Sequence, residues 1–343
     1  MKSASPCSKP LRSAPRPALS RRTFLGATGA AGATLGFPAV LRGEAALPRV
    51  THVALATGFT VILSTWMAAN RFDLKHGVNI DVVNNYVSVS NYYNDFTAGT
   101  FDMGIGAWDT WASRFAAGVP LKMVCSVTDY DLVNLVALKT GPHEVTDLKG
   151  KTLSAILSSG AYRLTKHALR TFHGIEIGTD IKFLNTESPA GAVAMVLGGS
   201  ADSGLTWEPN ISVGIEREPN LTPIYNLSED YRQHAKLELP YFSVAMRNEA
   251  EQRNPGVSAK VAAAVVECAE SIMANVDEAV RLSADKMRTS NEALKLAFSS
   301  GRLSFKPMNM QNAAARQTLL SAADYLVRNG VLDRPVDPGF LAS

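Results

Sequence analysis

The sequence predicts an α/β protein made of two similar halves, each a mostly parallel sheet flanked by helices, with two crossover strands between them. Three observations carry this expectation. Strand-length apolar runs alternate with helix-period stretches from Val50 onward, the pattern of a parallel sheet covered on both faces. A short motif occurs twice, one hundred positions apart: Ala98-Gly99-Thr100-Phe101-Asp102-Met103-Gly104-Ile105 returns as Gly198-Gly199-Ser200-Ala201-Asp202-Ser203-Gly204-Leu205. Each copy is soon followed by an aromatic–acid pair, Trp108-Asp109 or Trp207-Glu208. The glycine closes a helix in a left-handed cap, and Gly-x-x-Asp then turns the chain into an apolar strand. The Trp–acid pair falls just past that strand's carboxyl end, where open α/β sheets place ligands.

Taken in order, Val50–Ala56 reads as a buried strand, and Thr57-Gly58-Phe59-Thr60 as the loop opening a helix. That helix puts Ile62, Trp66 and Ala69 on one face and ends at Gly77. Strands follow at Val78–Tyr86, Phe101–Gly106 and Leu121–Val127, with helices at Ser90–Ala98 and Trp108–Ala117 between them. Leu132–Leu138 reads as a crossover strand. A second series then runs through strand Lys151–Ile156, helix Ala161–Phe172, a strand near Ile181–Leu184, helix Ala190–Leu197 and the second motif copy. Pro240–Met246 is the expected return crossover. The rest reads as helical: Asn254-Pro255 offers a cap and first-turn proline for a long helix with Val261, Val265, Ile272 and Val276 inward, and a last helix ends at Asn329-Gly330.

Residues 1–45 read as an address label. Ser20-Arg21-Arg22-Thr23-Phe24-Leu25 matches a twin-arginine export signal, followed by a Gly/Ala-rich run to Val40 and small residues at Gly43 and Ala45 that suit a signal peptidase. The run is too weakly apolar for a membrane span, which needs about 20 strongly apolar residues. Gly26, Gly29 and Gly32 lie within it and form no nucleotide loop. Removing its seven Lys/Arg and one acid from the chain's 34 and 31 leaves 27 basic and 30 acidic residues, so the formal +3 becomes about −3. A nucleic-acid or anionic-membrane partner therefore loses its support.

The mature chain of about 298 residues is long enough for two domains with their own cores. Cys7 leaves with the signal, whereas Cys125 and Cys268 sit in apolar runs and read as buried thiols. Six scattered histidines show no His-Glu-x-x-His spacing, and no Cys-x-x-Cys, Gly-x-Ser-x-Gly or phosphate-loop pattern occurs. No metal, cofactor or catalytic residue is expected.

Several segments together resemble the periplasmic substrate-binding proteins of ABC importers for nitrate, sulfonates, taurine and thiamine-pyrimidine precursors. They are Ala98-Gly99-Thr100-Phe101-Asp102, Gly118-Val119-Pro120-Leu121, Asp147-Leu148-Lys149-Gly150-Lys151-Thr152, Trp207-Glu208-Pro209, and Gly330-Val331-Leu332 with Pro335-Val336-Asp337. The resemblance implies a type II periplasmic-binding fold, with lobe I from 46–135 and 240–343 and lobe II from 136–239, closing on one ligand. It implies a periplasmic monomer that delivers a small-molecule solute to an ABC permease in the inner membrane, without inserting into the membrane itself.

Carried onto this sequence, the ligand pocket takes Thr57, Phe59, Ser88, Trp108, Asp109 and Tyr130 from one lobe, and Ser158, Ser159, Tyr162, Glu187, Trp207 and Glu208 from the other. Helix-start N–H groups suit anionic or polar atoms, and aromatic walls suit an organic body. The same residues also suit local duties: Trp108 and Trp207 as core, the serines as helix caps, Glu208 as a cap beside Pro209, Tyr130 as a hinge brace. Three carboxylates in the set make an amine-bearing or heterocyclic ligand as consistent as a sulfonate, since buried acids need a cation or donors. Two other roles remain open on this fold, a pyrimidine-synthase-like enzyme and a periplasmic ligand sensor. The first relies on a cysteine-rich motif that two separated mature cysteines do not supply.

Overall fold

The computed structural model describes residues 46–55 and 58–342. The twin-arginine segment lies outside the described residues, as does Thr57. In chain order the elements are β1 (Arg49–Leu55), α1 (Thr60–Asn70), α2 (Phe72–Lys75), β2 (Asn79–Tyr86), α3 (Val89–Thr97), β3 (Met103–Ala107), α4 (Trp108–Ala116), β4 (Leu121–Ser126), β5 (Val133–Leu138), β6 (Thr152–Ala155), α5 (Gly160–His173), β7 (Lys182–Asn185), α6 (Pro189–Leu197), β8 (Ser203–Trp207), α7 (Asn210–Arg217), β9 (Leu221–Asn226), α8 (Leu227–Ala235), β10 (Phe242–Arg247), α9 (Asn248–Arg253), α10 (Val257–Ala274), α11 (Val276–Met287), α12 (Asn291–Ser299), β11 (Met308–Asn309) and α13 (Ala313–Arg328).

The strands form two sheets, ordered β11-β4-β10-β3-β1-β2 and β7-β6-β8-β5-β9. Leaving out the two-residue β11, the first sheet read from β2 matches the second read from β7. β1 and β6 occupy equivalent places, each parallel to its neighbours on both sides. With β11 set aside, each sheet has one antiparallel strand inserted among the parallel ones. β10 lies between β3 and β4, and β5 between β8 and β9. These are the two crossover segments anticipated in the sequence, and β5 belongs wholly to the second sheet.

The repeated motif has one structural meaning in both halves. Gly99 and Gly199 adopt φ of +82° and +70°, so a Cβ-free residue ends the preceding helix. Asp102 Oδ2 then accepts the backbone N–H of Thr51 on β1 at 3.0 Å, and Asp202 Oδ2 accepts that of Thr152 on β6 at 2.8 Å. The N–H groups of both aspartates donate back to the carbonyls of the same two residues. Each acid thus fixes the register of the strand that its own strand pairs with. Burial works against its charge, but the Thr51 N–H and Arg253 outweigh it and hold the Asp102 carboxyl below its ordinary range.

Three local expectations change. The helix expected to run from Thr60 to Gly77 breaks at Arg71, whose φ of +53° ends α1 before α2 begins. Asn254-Pro255 does not cap the long helix. α10 begins at Val257 behind Gly256 in a left-handed conformation, and Glu251 of the short α9 accepts the N–H groups of Gly256 and Ser258 instead. The helical stretch also breaks at Asn275, so Val261, Val265 and Ile272 are buried in α10 while Val276 opens α11 half-buried. Cys125 and Cys268 are both buried free thiols, and burial pushes Cys125 up to about 12. Among the described residues no helix is long and apolar enough to cross a membrane, and no group of three or more His, Cys, Asp or Glu is placed to hold a metal ion.

Candidate functional site

The two Trp–acid corners lie where β3 and β8 end. Both tryptophans are buried, Trp108 as the first residue of α4 and Trp207 as the last of β8. Their carboxylates are fully buried, and each is held by an arginine from the opposite half of the chain.

Asp109, in the first turn of α4, receives Arg163 from α5: Nε at 3.1 Å and Nη2 at 2.6 Å, both to Oδ2. The same guanidinium donates to Thr110 Oγ1 at 3.1 Å, and Tyr130 donates its hydroxyl to Asp109 Oδ1 at 3.3 Å. Asp109 also seats against the N-terminus of α5, whose partial positive charge favours an anion. A Cβ on Gly160 would collide with this carboxylate, so the approach depends on glycine at the first position of that helix. The negative charge of Asp109 outweighs desolvation and raises the Arg163 pKa above its ordinary value.

Glu208 makes the reciprocal contact. Arg302, between α12 and β11, donates Nε to Glu208 Oε1 at 2.6 Å, and Ser212 donates its hydroxyl and N–H to the two oxygens at 2.9 and 3.1 Å. Glu208 therefore caps α7 while bridging to the C-terminal helices. Burial nevertheless pushes its pKa up, with Arg302 and Ser212 offsetting part of the shift.

The remaining anticipated residues divide by position. Ser88 caps α3 by accepting the Asn91 N–H, and donates to Glu187 Oε2 at 3.2 Å across the gap between the sheets. The Glu187 carbonyl accepts the Val89 N–H, and Ser90 meets Ser158 hydroxyl to hydroxyl at 3.1 Å. These small groups line one seam between the halves. Ser159 caps α5, and Tyr162 lies on Phe183 of β7 with ring centroids 4.9 Å apart. Phe59 is buried against Phe242 and Phe305, at 4.8 and 5.6 Å, and acts as core.

Tyr130 stacks on Tyr241 with centroids 3.9 Å apart, and Trp207 meets Tyr241 and Phe242 edge-on. This aromatic block stands where the chain passes between the sheets. On either side of Tyr130, Asp129 and Asp131 both bind Lys306, and Asp131 also binds Arg232 of α8. Against the desolvation of burial, Lys306 and Arg232 pull Asp131 down to about 2. Trp108 adds a buried indole N–H that has no hydrogen-bond partner among the described residues.

Arg163 and Arg302 lie outside the pocket expected from the sequence. Arg163 stands one turn into a helix, a position that ordinarily faces water, and nothing local in the sequence marks Arg302. Of the three acids, the buried Asp109 and Glu208 are each matched by a guanidinium, whereas Glu187 is exposed and accepts the Ser88 hydroxyl.

Residues 74–177 match the family described as NMT1/THI5 like. A search of the curated proteins finds no match. Among solved structures, the periplasmic aliphatic sulphonate binding protein SsuA from Escherichia coli aligns with a TM-score of 0.67 and 17% identity, over 86% of this chain and 92% of that one. The alkanesulfonate-binding protein SsuA from Xanthomonas axonopodis pv. citri, bound to MOPS, gives 0.71 and 16%, over 87% and 99%. The Candida albicans CA3427 gene product, described as having the generic periplasmic binding protein fold, gives 0.63 and 16%, over 84% and 92%. The chain has the two-lobed type II periplasmic-binding fold.

Proposed function

We propose that this protein is the solute-binding component of an ABC importer, acting in the periplasm and not as an enzyme. Its lobes are residues 46–132 with 240–343 and residues 133–239, the first boundary falling before β5 and not within it at 135, and they close on one small organic solute that the protein hands to a permease. Export by the twin-arginine route and a monomeric state belong to the same proposal. The observation that carries it is the buried Asp109–Arg163 pair, which joins the strand tip of one sheet to the first turn of a helix on the other.

That pair also bears on the solute. A bare anion that took Arg163 from Asp109 would leave a buried carboxylate without its cation, at several kcal/mol. A zwitterion avoids this, because its acid group engages Arg163 while its ammonium faces Asp109. The unpartnered Trp108 N–H supplies a further donor for an acid oxygen, and the Tyr130–Tyr241 block supplies apolar wall. The proposed ligand class is therefore a small amino-sulfonate, of which taurine is the simplest test.

A thermal-shift series with taurine, ethanesulfonate, ethylamine, nitrate and a hydroxymethylpyrimidine tests both levels. Taurine is expected to raise the melting temperature most, since a ligand at a hundredfold excess over Kd adds about 2.7 kcal/mol to stability. Equal shifts from taurine and ethanesulfonate would remove the zwitterion argument, and no shift from any of the five would remove this solute range. Arg163→Met is expected to abolish the taurine shift.

A further inference from the structure

The first sheet has a second cavity at the end opposite the Trp–acid corner. It begins beside Met103, the first residue of β3, roughly 13 Å along that strand from the corner at a rise of about 3.3 Å per residue. Its volume is about 300 Å³, and His52, Leu63, Met67, Met103, Ile105 and Val265 line its inner wall. All six side chains are buried, and α1, α10 and the sheet enclose them. The outer part is lined by Ala68 and Val82, beside the edge strand β2.

His52 is the one polar side chain at the inner end. It pairs with Met103 across the parallel β1–β3 ladder, so the two side chains share a sheet face. Against β2 the ladder slips between His52 and Val53, a bulge of the kind that re-aims a side chain. Its Nδ1 lies 3.0 Å from the Met103 carbonyl. Because a carbonyl only accepts, Nδ1 carries the hydrogen and Nε2 holds a free lone pair. Nε2 is buried and has no partner among the described residues. Burial holds the imidazole neutral, with its pKa lowered to about 4.

A buried acceptor without a donor is costly, and an apolar inner wall with one polar group, continued outward by the polar residues Ser64, Arg71, Asp73, Asn79 and Asp81, has the make-up of a small-molecule site. Charged ligands do not fit. The ionic groups that line it are paired: Arg71 and Asp73 bind each other through two hydrogen bonds, Asp73 also accepts the Ile80 N–H, and Asp81 binds Arg49.

We propose that this cavity is a second ligand site, taking a compact uncharged molecule with an apolar body and one hydrogen-bond donor directed at His52 Nε2. Indole and benzofuran make the discriminating probes, because they share a shape and only indole donates. Each is titrated into the full mature protein, with binding followed by the imidazole nitrogen resonances of His52 and by the backbone amides of β1 and β3. Indole is expected to shift the His52 Nε2 signal and to bind at least about fivefold more tightly than benzofuran, as one neutral hydrogen bond implies. His52→Leu is expected to erase that preference. Ala68→Trp, at an exposed mouth position where a large side chain does not disturb the core, is expected to block both probes. The proposal is overturned if the two probes bind equally to the unaltered protein, if neither binds because water alone fills the cavity, or if indole still binds after Ala68→Trp.

Discussion

Removing Arg163 tests whether the cross-sheet pair works as described. The Asp109 carboxylate is fully buried while the Arg163 side chain is 35% exposed, so the two partners do not suffer equally when the other is lost. Opposite unit charges about 4 Å apart attract by roughly 4 kcal/mol at an effective dielectric near 20. Part of this is spent on desolvation, and breaking a buried pair by deleting one partner usually costs about 3–5 kcal/mol. With solvent reaching the guanidinium, the lower end applies. Arg163→Met should therefore lose about 3 kcal/mol, because Asp109 keeps only the Tyr130 hydroxyl and the start of α5. Asp109→Asn should lose only about 1 kcal/mol, because Arg163 can turn toward water and still reach Thr110. The double variant should resemble Asp109→Asn, which makes the coupling about 3 kcal/mol. Urea unfolding of the four proteins at pH 7 gives these values from the shift in midpoint at constant slope. Single effects that add within about 0.5 kcal/mol, or Asp109→Asn proving the more damaging, would refute the reasoning.

Further outcomes follow from other residues. Gly160→Ala should destabilise by about 1–3 kcal/mol, because the new methyl displaces Asp109 from α5, and a thermal melt reads the loss directly. Asp102→Ala and Asp202→Ala should each lose about 1–3 kcal/mol by freeing a strand N–H; an effect in one half and none in the other would break the equivalence of the repeats. His52 fixes a pH dependence. Its folded pKa, about 4, lies below the unfolded value near 6.5, so the unfolded chain binds the proton first. Stability falls as pH drops from 6.5 toward 4, by up to about 3 kcal/mol at 1.36 kcal/mol per pKa unit. His52→Leu should flatten that part of the stability–pH curve, and an unchanged curve would show that His52 is not the titrating group. Arg302→Met should destabilise much as Arg163→Met does, since Glu208 is as deeply buried as Asp109.

Sequence alone determined what is written over short spans. Alternating strand and helix periods, the glycine caps at 99 and 199, and the acid three residues after each reflect local backbone preference, and the expected strands fall within a residue or two of their observed bounds, although the first helix ends at Asn70 and not at Gly77. It also marked both Trp–acid corners, because a strand end is a local event. Where a local signal had a competitor, sequence read it wrongly: Asn254-Pro255 has the composition of a cap, but the Glu251 carboxylate takes the N–H groups that Asn254 was to satisfy.

Tertiary structure alone decided the partners. Asp109 meets an arginine 54 residues away and Glu208 one 94 residues away. No periodicity encodes which guanidinium reaches which buried carboxylate, since that depends on how the two halves meet. The same holds for His52, an unremarkable residue in a strand until the fold buries its Nε2 with no partner among the described residues. Charge and hydrogen-bonding capacity are properties of a residue, whereas desolvation belongs to the whole packed chain, and it is desolvation that turns these side chains into sites.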